Sequence, residues 1–106
     1  MITEADLESV LAENKPAKEL GDSLTKLLRN SDFRDVVLIG YLREEAIRLV
    51  HLLSDPTQNK SEIQTRLDSI SNFKLYLDTV ISNSEMATRT IEETEEQLLL
   101  IRENEV

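Results

Sequence analysis

His51 is the only histidine in the chain, and Asp55 follows it four residues on, a spacing that brings two possible metal ligands onto one helix face. A zinc site needs three or four ligands, and spacing suggests no third one for this pair. A histidine near a helix C-terminus is also favoured there by the helix dipole alone. The adjacent carboxylates Glu44-Glu45, Glu92-Glu93 and Glu95-Glu96 raise the question of acid/base work or of a cation site. Neighbouring residues on a helix point about 100° apart, so such pairs diverge and read as solvated faces. Serines are numerous, but a single histidine and no glycine-flanked turn give a serine nucleophile little support. Gly21 and Gly40 lie far apart, so no phosphate-cradling loop is visible, and the absence of cysteine removes thiolate chemistry and disulfides together. The expectation is a chain with no catalytic residue, no cofactor and no metal.

The elements that would carry these residues are helices. Two glycines and two prolines in 106 residues starve the chain of the turns that an all-β or α/β fold requires. The expected class is all-α, one small helical bundle around a central helix at about 32–54. Its sequence, DFRDVVLIGYLREEAIRLVHLLS, gives two apolar stripes at 3.6 residues per turn. One is Phe33, Val36, Val37, Gly40, Ile47 and Val50; the other is Leu38, Leu42, Ala46, Leu49 and Leu53. Two stripes call for neighbours on two sides, which predicts a buried central helix. Gly40, amid bulky neighbours, reads either as a close approach of another backbone or as a tolerated glycine.

Before the central helix, Thr3 is placed to cap a first helix, and Pro16 predicts its end near Asn14 with a second helix starting at the proline. A continuous kinked helix is the alternative. Asn30-Ser31-Asp32 supplies a stop and the next cap, and Asp55-Pro56 ends the central helix. From Ser61 a heptad runs through Ile63, Ile70, Leu77, Ser84, Ile91 and Leu98, with Arg66, Phe73, Val80, Ala87, Thr94 and Ile101 three places later. A helix over about 61–103 would be about 64 Å long, against about 32 Å for the central one, so its distal half lacks a full partner. Either residues 82–106 project from the bundle of residues 1–81 as an acidic interaction helix within the same domain, or the chain folds back at Ser82–Glu85, which has capping-box spacing.

Charge is concentrated in that distal stretch. The net charge is −9; residues 1–84 hold 14 acids and 10 bases, whereas residues 85–106 hold seven acids (Glu85, Glu92, Glu93, Glu95, Glu96, Glu103, Glu105) and only Arg89 and Arg102 as bases. No basic face is visible, which argues against direct nucleic-acid binding. No apolar run approaches the roughly 18 residues of a membrane span, and no signal peptide is visible.

The segments DFRDVVLIGYLREEAIRLVHLLSDP (residues 32–56) and LDSISNFKLYLDTVI (67–81) resemble small helical proteins of tailed bacteriophages. The elements that carry the resemblance are Asp32-Phe33, Gly40-Tyr41, Glu45-Ala46-Ile47-Arg48-Leu49, Asp55-Pro56 and Phe73-Lys74-Leu75-Tyr76-Leu77, about 40 residues of 106. The resemblance implies a virion or head-morphogenesis component, in the host cytoplasm or the virion, and carries no active-site residue with it.

The functional expectation is a non-enzymatic interaction or assembly protein. It would self-associate, or dock on a phage structural protein, through the seam of Ile91, Leu98 and Ile101 with Glu92 and Glu95 beside it. The alternative is an acidic inhibitor that fills the basic nucleic-acid groove of a host protein. The first uses the apolar seam and the second the glutamates.

Overall fold

A computed structural model describes residues 1–104, and all regular structure in that range is helical. Glu105, counted among the distal acids above, lies outside the described residues. The chain divides into two compact units: Met1–Leu24 together with residues from Val80 onward, and Thr25–Thr79.

The first unit is an antiparallel helix pair. Helix α1 (Glu4–Leu28) begins in a reciprocal cap, with the Asp6 amide donating to Thr3 Oγ1 (3.2 Å) and the Thr3 amide to Asp6 Oδ2 (2.9 Å). It does not end near Asn14. Pro16 sits inside the helix, exposed, so the hydrogen bond it cannot donate is lost on the solvent side while the opposite face continues without a break. That face is a heptad in its own right: Leu7, Asn14 and Gly21 alternate with Val10, Ala17 and Leu24, all buried or half-buried. The continuous-helix alternative is therefore the one found. Lys18 Nζ donates to Asp22 Oδ2 (2.9 Å).

The partner of α1 is the distal part of α4 (Lys60–Asn104), one helix of 45 residues, about 68 Å long. The fold-back at Ser82–Glu85 does not occur. The antiparallel register is fixed at both ends of the contact. Arg102 Nε donates to Glu4 Oε1 (2.8 Å) with Glu8 nearby (3.7 Å), and Ser84 Oγ donates to the Lys18 carbonyl (3.5 Å). Val80, Ala87, Thr94 and Leu98 are buried along this seam. Buried Thr94 satisfies its hydroxyl by donating to the Thr90 carbonyl (2.6 Å). The distal half of α4 thus does not project unpaired: α1, read from the sequence as two short helices, is long enough to cover it.

In the second unit, Asn30 caps a single turn, α2 (Ser31–Phe33), by accepting from the Phe33 amide (3.0 Å). A π-helical segment (Arg34–Glu45) follows and passes into α3 (Ala46–Leu52). After the Asp55-Pro56 turn, Asn59 accepts from the Glu62 amide (3.1 Å) at the start of α4. Leu49, Ile63 and Ile70 form the core, with Leu42, Ala46, Leu52, Leu53 and Leu67 packed around it. Tyr41 and Phe73 meet edge to face, ring centroids 6.0 Å apart.

One of the two expected stripes is covered and the other only in part. Leu38, Leu42, Ala46, Leu49 and Leu53 are buried or half-buried; of the other stripe Phe33, Val37 and Gly40 are half-buried, whereas Val36, Ile47 and Val50 are exposed. The expectation of a central helix buried on two sides is corrected, and the π segment supplies part of the reason. Its i→i+5 hydrogen bonds make a wider turn than the 3.6-residue one, so residues four apart stay aligned while those three apart drift away from the core. Gly40 meets no other backbone; a Cβ there would lie 3.1 Å from the carbonyl of Asp35, five residues back in its own turn. The close approach in this protein is at Gly21, where a Cβ would stand only 2.1 Å from Ser84 Cβ.

Candidate functional site

The seam expected to receive a partner is occupied from within the chain. Leu98 is only 4% exposed, and Ile91 and Ile101 are half-buried on the same side of α4. As a free partner-binding strip, Ile91, Leu98 and Ile101 are therefore a correction: a charge placed at Leu98 would disrupt the first unit rather than release a neighbouring molecule. Glu92 and Glu95 are exposed, as are Glu85, Glu93, Glu96 and Glu103, so this half of α4 turns its acids outward and its apolar seam inward.

The titratable pairs of the sequence separate in the fold. Asp55 is engaged with its own turn, its Oδ1 accepting from the Thr57 amide (2.9 Å) and the Thr57 hydroxyl (2.7 Å). These hydrogen bonds from Thr57, side chain first and then backbone, hold the Asp55 carboxyl below its ordinary 3.8. A depressed carboxyl contributes stability above its unfolded-state pKa and loses it as pH falls through the folded one. The Asp55 carboxyl carbon, followed by NMR, is accordingly expected to titrate below pH 3.8, with the Thr57 amide shift following it. A midpoint at or above that value would remove the turn from the description.

Glu44 and Glu45 also part company. Glu44 lies 3.3 Å from Arg43 Nε, and Glu45 accepts from Arg48 through both Nε (3.0 Å) and Nη2. The Arg48 hydrogen bonds hold the Glu45 carboxyl below its usual range, with Arg66 adding a smaller attraction. This ion pair has i, i+3 spacing. A shallow open depression beside it is lined by Tyr41, Glu45, Leu49, Arg66, Ser69 and Ile70, but Arg66 there is already paired with Glu62 (3.0 Å). Among the described residues, no three of His, Asp or Glu converge in a way that could hold a metal ion.

What the second unit does present is an apolar outer face that its own helices leave uncovered. Ile39, Ile47 and Val50 are 41%, 47% and 50% exposed. Asp35, Ile39, Arg43, Ile47 and His51 follow one another at intervals of four, and all are exposed. A four-residue step returns close to the same face both in the wider π turn and in an α-helix, so the five form one continuous outward stripe. Reading the segment at 3.6 residues per turn hid this stripe, because it assigned Ile47 and Val50 to the core.

Comparison of the chain with known protein families, with curated proteins and with solved structures gives no match. No helix among the described residues is long and apolar enough to cross a membrane.

Proposed function

We propose that this chain is a non-enzymatic helical interaction protein that docks another protein surface on the outward stripe of residues 35–51. The observation that carries the reading is the split between two apolar surfaces. The seam of α4 is covered by α1, whereas isoleucines 39 and 47 are exposed on the outer face of the second unit. Large aliphatic side chains contribute about 1.5–3 kcal/mol each on full burial, so a partner that covers this stripe gains from each of them. The resemblance of residues 32–56 and 67–81 to small phage-encoded helical proteins suggests virion or head morphogenesis as the setting.

A second reading draws on the outward acids of α4. With the seam covered, Glu85, Glu92, Glu93, Glu95 and Glu96 are what that half offers to a partner, and an inhibitor of a basic nucleic-acid groove would use them. A photoreactive amino acid placed at Ile47, at Glu93 and at Gln64 in separate full-length chains separates the two in cells that express them. Protein adducts from position 47 and none from 64 are expected. No adduct from 47 would overturn the first reading, and adducts from 93 alone would favour the acidic inhibitor.

A further inference from the structure

We infer that the surface covering the outward stripe is a second copy of the same chain, docked antiparallel about a two-fold axis at Arg43. The inference rests on the proposed interaction role and names its partner. Its basis is the order of residues along the stripe: Asp35, Ile39, Arg43, Ile47, His51. Around Arg43 the pattern is self-complementary. An antiparallel two-fold there sets each Ile39 on the partner's Ile47 and each Asp35 carboxylate, an acceptor, against a His51 imidazole, a donor. Apolar meets apolar, and the polar ends pair with their complements, which is what an isologous interface requires.

Arg43 itself falls on the axis, and its charge is already balanced. Glu44 lies 3.3 Å from its guanidinium on the same chain. Charge points the same way over the longer segment. Between Ser31 and Leu53 there are four acids (Asp32, Asp35, Glu44, Glu45) and three arginines (Arg34, Arg43, Arg48), so this stretch is nearly neutral in a chain of net charge −9. Two copies repel little when they meet here, and a strongly basic partner finds less to bind here than on α4.

The test uses the purified full-length chain. Sedimentation equilibrium over micromolar concentrations is expected to show a dimer, and Ile47→Glu is expected to raise the dissociation constant by at least about tenfold with helical circular dichroism unchanged. Because the chain has no cysteine, Arg43→Cys is a direct probe of the axis, since two cysteines can bridge only when their Cα atoms lie within about 7 Å. Mild oxidation should convert Arg43→Cys to a covalent dimer far faster than Gln64→Cys. A monomeric wild type, or Arg43→Cys cross-linking no faster than Gln64→Cys, overturns the proposal. If the purified chain is monomeric while position 47 still forms adducts with a different protein in cells, the interaction reading stands and the self-pairing falls.

Discussion

Leu49→Ala is expected to destabilise the protein by about 2–5 kcal/mol, the range for emptying a leucine-sized space in a core that cannot collapse around it. Leu49 is the largest fully buried side chain, 1% exposed, and it joins α3 to Ile63 and Ile70 of α4. Leu53→Ala, at the partly buried edge of the same cluster, should cost less. The check is chemical denaturation of both variants against the wild type. Equal, small shifts in the midpoint for the two would show that Leu49 is not the centre of this core.

Gly21→Ala carries the second large effect, and its sign is diagnostic. In an ordinary helix interior the change stabilises by about 1 kcal/mol. Here the added Cβ would stand 2.1 Å from Ser84 Cβ and 1.9 Å from Ser84 Oγ. A Cβ cannot rotate away, so α1 and the distal part of α4 must move apart at a buried position. Overpacking of this kind costs about 1–3 kcal/mol. Adding Ser84→Gly should recover most of the loss, because the nearest atoms the new Cβ meets are those of Ser84. If Gly21→Ala alone raised the melting temperature, the close approach of the two helices would be wrong.

Much of the fold was legible because helix periodicity and caps are local properties. The heptad from Ile63 to Ile101 lines one side of α4 as read, with every position but Arg66 buried or half-buried. Thr3 and Asn30 cap where their side chains predict, and α3 ends before Asp55-Pro56. Pro16 misled because its local rule concerns the backbone of one turn, while the pairing of α1 with α4 acts over the helix's length. The π segment misled in another way. Its changed turn reassigns apolar residues between core and surface without altering their order in the sequence. Both errors bear on function, because the first made the α4 seam look free and the second made the outward stripe look buried. Gly21 drew no notice for a related reason: its meaning depends on Ser84, 63 residues away, whereas Gly40 stood out among bulky neighbours and meets only its own helix.

The distal half of α4 is paired within its own chain, along α1. Nuclear Overhauser contacts between the Gly21 α protons and the Ser84 β protons test this most directly, recorded on a uniformly labelled chain and on a mixture of labelled and unlabelled chains. The pairing predicts a strong contact in the labelled sample and none between labelled and unlabelled chains. A contact that is missing from the first, or that appears between chains in the second, would return the α4 seam to an outside partner.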